Sequence, residues 1–202
     1  MTKVKLCGLS RPCDIEAANT LKPEYIGFVF APKSKRYVSA ETAAELKQML
    51  SPEIQAVGVF VNEPVENVAR FLREGVIDIA QLHGTEDEAY IERLRQLSGR
   101  PVIKAFRMET AEDVERAEQS PADYVLLDSG AGTGLTFDWN LIQNIRRPYF
   151  LAGGLSPENA ADAVRTFHPY AVDVSSGIET DGKKSADKMA AFVAAVRKEE
   201  KS

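Results

Sequence analysis

Residues 148–179 read PYFLAGGLSPENAADAVRTFHPYAVDVSSGIE, and the fold turns on how that stretch is parsed. An apolar run, PYFLA, stops at the pair Gly153-Gly154. Ser156 then stands as a helix cap with Pro157 in the first turn, where a missing N–H costs nothing, ahead of a segment with helical apolar spacing. A second apolar run, YAVDV, ends in Ser175, Ser176 and Gly177. Both runs are near-continuous rather than alternating, as strands covered on both faces must be, so they read as parallel strands joined by a helix.

The same beat recurs along the whole chain. Apolar runs begin near residues 4, 25, 54, 76, 101, 124, 148 and 170, in steps of about 21 to 29 residues. Between them lie helical stretches: DIEAANTL, SAETAAELKQML, PVENVARFLREG, TEDEAYIERLRQL, TAEDVERAEQ, DWNLIQNI, SPENAADAVRT and SADKMAAFVAAVRKEE. In the fourth, Thr85 with Glu88 three residues later predicts a capping box. Eight strand-helix units in 202 residues predict an α/β fold, a single-domain (βα)8 TIM barrel with a parallel eight-stranded sheet over residues 1–202, in preference to a doubly wound open sheet. Only the last residues, KEEKS, read as frayed.

Composition narrows the function classes. A 44% hydrophobic and 27% charged chain is that of a globular protein, and its net charge of −5 without basic clusters offers no footprint for nucleic acid or an anionic membrane surface. The sequence carries neither a basic-then-apolar signal segment nor a spanning apolar run, so a cytoplasmic location is expected. Cys7 and Cys13 are the only cysteines and His83 and His168 the only histidines; with no C-x-x-C or H-E-x-x-H motif, neither a disulfide nor a metal is expected.

In such a barrel the chemistry collects at the C-terminal ends of the strands. There the sequence places Cys7-Gly8, the loop APKSKRYVS, Asn62, His83, Lys104 with Arg107, Asp128, Gly153-Gly154, and the run DVSSG. Loops after the seventh and eighth strands are where this architecture habitually cradles phosphate, so Gly153, Gly154, Ser175, Ser176 and Gly177 are candidate phosphate-binding residues, with a following helix start aimed at the anion. The run GAGTG after the sixth strand misses the dinucleotide fingerprint in position and spacing, and reads as a loop whose Gly130, Gly132 and Gly134 would let it close over a ligand. From the residues alone, Asp128 reads as either a brace for its loop or a reactive carboxyl, and Cys7 as either a small buried hydrophobe or a reagent.

Taken together, KLCGLSRPCD, GFVFAPKSKRYVS, QLHG, LLDSGAGTGLTFDW, LAGGLSPEN and DVSSGIE resemble the phosphoribosylanthranilate isomerase family of tryptophan biosynthesis, in order and from residue 3 to about residue 180. The resemblance implies a (βα)8 barrel that performs a cofactor-free Amadori rearrangement on a small-molecule substrate, as a monomer or homodimer. It puts the general base on Cys7 and the general acid on Asp128, the anthranilate end of the substrate at Arg36 and His83, the sugar near Asp173, and the phosphate at the two glycine loops. Two departures from the family pattern stand out, Lys35 before the arginine and Ala131 in the loop after the sixth strand.

The implied chemistry is coherent. Opening an amino-furanose needs a proton on the ring oxygen, and the resulting iminium then needs to lose its C2 proton, so one acid and one base suffice. With unperturbed pKa values, a thiolate and a protonated carboxyl coexist at neutral pH at a cost on the order of 6 kcal/mol, a gap the site is expected to narrow by enclosing the acid and surrounding the thiolate with donors. Indole-glycerol-phosphate synthase would want a lysine acid, and ribulose-phosphate epimerase a metal site. The alternative from another class is a catalytically silent sugar-phosphate-binding barrel.

Overall fold

The computed structural model describes residues 1–128, 142 and 145–199. The glycine loop at 129–136, nearly all of the short helix expected at 138–145, and the frayed residues 200–202 lie outside the described residues. Eight parallel strands close into a barrel: β1 (Lys3–Cys7), β2 (Tyr25–Val29), β3 (Gln55–Phe60), β4 (Ile79–Leu82), β5 (Val102–Arg107), β6 (Tyr124–Asp128), β7 (Tyr149–Ala152) and β8 (Ala171–Val174). The helices among the described residues are α1 (Pro12–Leu21), α2 (Ala40–Met49), α3 (Val65–Arg73), α4 (Glu88–Ser98), α5 (Ala111–Gln119), α6 (Ala160–Phe167) and α7 (Ala186–Glu199). The sheet closes where β1 pairs with β8, Lys3 opposite Ala171 and Lys5 opposite Asp173.

Burial follows the strand period of two. One face of each strand packs under the helices, where Leu6, Ile26, Phe60, Leu82, Val125 and Leu151 join one large cluster with the apolar stripes of the helices. The other face fills the barrel: Tyr25, Val57, Ile79, Ile103, Leu126, Phe150 and Ala171 form a second cluster inside it. Above that, toward the strand C-termini, Cys7, Val29 and Val59 form a small third cluster. The filled lower interior makes the barrel a packed core, and the thinner upper layer leaves room for a cavity.

Three local expectations differ from what forms. The fourth strand begins at Ile79, since the N–H groups of Val76 and Ile77 donate to Phe71 O at 3.1 and 3.4 Å and so finish the turn after α3, although both side chains are buried as strand residues would be. Thr85 does not open a capping box. Asp87, whose Oδ1 accepts from Tyr90 N at 2.9 Å, caps α4, and both the N–H and hydroxyl of Thr85 donate instead to Asn62 Oδ1. Ser156 likewise does not cap a helix: residues 156–159 form a separate turn in which Asn159 Oδ1 accepts from Ser156 N, and α6 starts only at Ala160. At α4 a carboxylate nearer the helix takes the cap, whereas at α6 the Asn159 side chain turns back to the preceding loop and makes no capping bond.

Phe150 is fully buried inside the barrel, its ring 5.3 Å from that of Tyr25, 5.8 Å from Tyr124 and 5.7 Å from Tyr170. Truncation there removes a central filler from an interior that cannot collapse, so Phe150→Ala is expected to lower stability by about 3–5 kcal/mol. Urea unfolding measures it, and a loss below about 1 kcal/mol would contradict this account of the packing.

Candidate active site

The strand C-termini surround a cavity of about 300 Å³. Every site residue expected from the sequence lines it except Gly177, which stands behind the loop. Cys7 comes from the end of β1, His83 from just beyond β4, Asp128 from the end of β6 and Asp173 from β8. Arg36 reaches in from the loop after β2, and the loops after β7 and β8 supply Gly153, Gly154, Ser175 and Ser176.

Cys7 packs against Val29 and Val59 and is 7% exposed, yet it borders the same cavity as Asp128. Burial pushes its thiol pKa up, and the charge of Asp173 pushes the same way; the ammonium groups of Lys5 and Lys184 pull against them, and the net direction is upward. Lys5 is fully buried and donates to Asp173 Oδ2 at 2.9 Å. Burial disfavours its charge, but attraction to Asp173 and Cys7 outweighs that cost, so its pKa is raised and it stays an ammonium. Asp173 Oδ1 is buried with no hydrogen-bond partner.

Across the cavity His83 Nε2 lies 3.3 Å from Asp128 Oδ2. Its Nδ1 sits 3.1 Å from the Gln81 amide nitrogen. The ring is thus held between the Gln81 amide on one nitrogen and the Asp128 carboxyl on the other. Arg36 is held from behind: its Nε and Nη2 donate to Glu179 Oε1 and Oε2 at 2.6 and 3.0 Å, a two-pronged pair. Lys184 Nζ also donates to Glu179 Oε1 at 2.7 Å and to Ser175 O at 2.8 Å. Burial raises the Glu179 pKa, but the bonds from Arg36 and Lys184 overcome it and bring the pKa down to about 2.

Glu179 and Lys184 stand on a two-stranded hairpin, β9 (Glu179–Thr180) and β10 (Lys183–Lys184), turned by Asp181 and Gly182 at φ values of 51° and 74°. Before it, Ser176–Ile178 forms one 3₁₀ turn, whose first N–H groups have no acceptor within the turn. Gly153 and Gly154 take φ values of 89° and 64°, the left-handed region in which glycine is at home. The two loops touch so closely that a Cβ on Gly177 would fall 2.0 Å from Leu155 O. The helix expected to aim its N-terminus at the anion begins too late, at Ala160, so backbone N–H groups of the loops themselves are the donors nearest the cavity.

This arrangement has known counterparts. The profile of the family described as N-(5'-phosphoribosyl)anthranilate (PRA) isomerase matches residues 4–195. The chain belongs to that family. An N-(5'-phosphoribosyl)anthranilate isomerase from Thermoanaerobacter sp. (strain X514) is 45% identical over 204 residues, covering 98% of each chain. The crystal structure of phosphoribosyl anthranilate isomerase from Thermotoga maritima is 37% identical, with a TM-score of 0.90 over 98% of this chain and all of the other. A phosphoribosyl anthranilate isomerase in complex with reduced 1-(o-carboxyphenylamino)-1-deoxyribulose 5-phosphate is also 37% identical, with a TM-score of 0.88 over 98% of this chain and all of the other. The barrel is therefore that of an isomerase of this family.

Around this phosphoribosylanthranilate isomerase cavity, sequence reasoning passed over four polar residues. Lys5 and Gln81 were hidden inside apolar runs, although a lysine two residues before Cys7 shares its inward face and needs a buried partner. Glu179 and Lys184 flank an Asp-Gly pair, the strongest short hairpin signal, which went unused. Lys104, noted at the rim, is instead buried and braces loops: it donates to Gly84 O at 2.7 Å and to Glu86 Oε2 at 2.9 Å, while Glu86 accepts from Asn62 N and Gly84 N. Arg107 is exposed and does not line the cavity.

Because Glu179 is ionised in the folded protein down to about pH 2 but protonates near its ordinary 4.5 when unfolded, its contribution is complete above 4.5 and fades as pH falls toward 2. Glu179→Gln is accordingly expected to be less stable than the parent at neutral pH, with the gap narrowing by about pH 3.5. Urea midpoints at the two pH values test this; a gap that stayed constant would show that Glu179 is not held as an ion by Arg36 and Lys184.

Proposed function

We propose that the cavity rearranges N-(5-phosphoribosyl)anthranilate to 1-(2-carboxyphenylamino)-1-deoxyribulose 5-phosphate in tryptophan biosynthesis, with Cys7 as general base and Asp128 as general acid. One observation carries the reading: Cys7 and Asp128 border a single cavity that is also lined by the pair of loops carrying Gly153, Gly154, Ser175 and Ser176. The loops take the phosphate through backbone N–H groups and serine hydroxyls, which pins the sugar between thiol and carboxyl.

Asp128 gives its proton to the ring oxygen, the C1–O bond breaks, and the nitrogen lone pair forms the iminium. The Cys7 thiolate takes the C2 proton, and the C2–H electrons flow into the iminium to make an enolamine. Reprotonation at C1 and loss of the hydroxyl proton from O2 then yield the ketone, with no net change in atoms or electrons. Once Asp128 has given up its proton, His83, whose Nε2 lies 3.3 Å from Asp128 Oδ2, donates to the new carboxylate, an interaction stronger after transfer than before. The Nε and Nη2 edge of Arg36 is committed to Glu179, so its remaining edge receives the aromatic carboxylate. Asp173 borders the cavity and has acceptor capacity to spare at Oδ1, which suits a residue that meets a sugar hydroxyl.

Loss of phosphoribosylanthranilate fluorescence on adding the purified protein is the direct assay. Cys7→Ala and Asp128→Asn are each expected to reduce kcat by about 10²- to 10⁴-fold while a product analogue still binds. Near-normal turnover in either variant would remove that residue from the mechanism. Arg36→Lys is expected to raise KM more than it lowers kcat, since a lysine cannot keep Glu179 and a carboxylate on two edges of one plane.

A further inference from the structure

The mechanism above needs a thiolate in a place where burial opposes one, and it leaves the most deeply buried charge in the barrel unused. Lys5 is 0% exposed, lies two residues before Cys7 on the same strand, and so shares its inward face. Its ammonium donates to Asp173 Oδ2 at 2.9 Å, and Asp173 and Cys7 border the same cavity, so the buried charge lies on the side of the barrel from which Cys7 faces that cavity.

As a purely structural feature the pair makes little sense. Taking two charges out of water costs about as much as their attraction returns, and apolar residues of similar volume often do as well. A pair retained for stability would also have its acceptors satisfied, yet Asp173, a residue that borders the cavity, keeps its Oδ1 without a partner. We propose that Lys5 is a positioning residue whose buried ammonium is the fixed positive charge that favours the Cys7 thiolate against burial, while Asp173 keeps that ammonium charged. The inference rests on the reading of Cys7 as the base.

The charged groups around Cys7 can be apportioned. Lys5 acts from its own strand and Asp173 from β8. Lys184 approaches from the hairpin and Arg36 from the loop after β2, both tied to Glu179; His83 and Asp128 face across the cavity. Lys184 and Arg36 are therefore already matched against a carboxylate that is not shared with the thiol. Of the cations, Lys5 has the largest influence on Cys7, and Asp173 is the main charge working against it.

In a reversed-protonation pair, the share of enzyme carrying thiolate and carboxylic acid together scales with the gap between their pKa values, and the alkaline limb of the rate profile reports the thiol. The experiment is the pH dependence of iodoacetamide alkylation of Cys7, in a Cys13→Ser background that removes the exposed thiol, read beside the kcat/KM profile. Lys5→Met is expected to move the alkylation midpoint up by about one pH unit or more, with the alkaline limb of kcat/KM moving equally and its plateau falling about tenfold. A folded Lys5→Met protein with an unmoved midpoint overturns the proposal. A shifted midpoint with unchanged turnover upholds the link between Lys5 and the thiolate and instead sinks the reading of Cys7 as the base. Should Lys5→Met fail to fold with Asp173 stranded, the double variant Lys5→Met/Asp173→Asn, which buries no lone carboxylate, is compared with the parent. The double variant should titrate about one unit higher, and equal midpoints overturn the proposal.

Discussion

The pairing of β1 with β8 is the constraint on which the rest of the molecule depends. It sets Lys5 opposite Asp173 and Leu6 opposite Val174, joining segments about 168 residues apart in the chain. Before closure the sheet would have two exposed edges; after it every strand is hydrogen-bonded on both sides. The same pairing builds the site. It brings Ser175 Oγ to 3.2 Å from Cys7 O, so the thiol's backbone and the loop after β8 form one wall. A slip of one residue would turn Lys5 and Cys7 outward together, away from Asp173 and from the cavity.

That closure places charge inside a barrel whose lower layers are otherwise packed with aromatic and aliphatic side chains. The cost is tolerable because opposite charges meet at 2.9 Å, and because the ion pair lies at the boundary between filled interior and open cavity. The electrostatics at Cys7 are a contest, with burial and Asp173 favouring the thiol and Lys5 and Lys184 favouring the thiolate. The net direction is toward the thiol, and the positive iminium formed during the proposed reaction would shift the balance when the base is needed.

Positioning is done from outside the barrel as much as within it. The hairpin after β8 supplies Glu179, which fixes Arg36, and Lys184, which fixes the carbonyl of Ser175. On the other side, Glu86 and Lys104 tie the loops after β3 and β4 together beside His83, while the Gln81 amide meets the His83 ring at Nδ1. Arg36 and the loop of Ser175 are thus held by partners outside the cavity, which limits the motion these groups must lose on the way to the transition state.

The sequence alone determined the beat of strands and helices, the barrel, the family, and which side chains gather at the strand ends. These follow from local quantities: apolar runs of strand length, cap residues, and motifs whose spacing survives in a linear string. It misplaced the caps at Thr85 and Ser156, because more than one capping residue competed at each helix start and only the three-dimensional course of the loop selected between them. It also passed over Lys5, Gln81, Glu179 and Lys184. Their meaning lies in partners: a lysine in an apolar run becomes a charge beside a thiol only once β8 lies against β1, and a glutamate near the C-terminus becomes the hold on Arg36 only once the hairpin folds over the rim. Tertiary structure decided those pairings because Coulomb attraction and hydrogen bonding depend on distance in space, which a chain of residues does not encode until the sheet has closed.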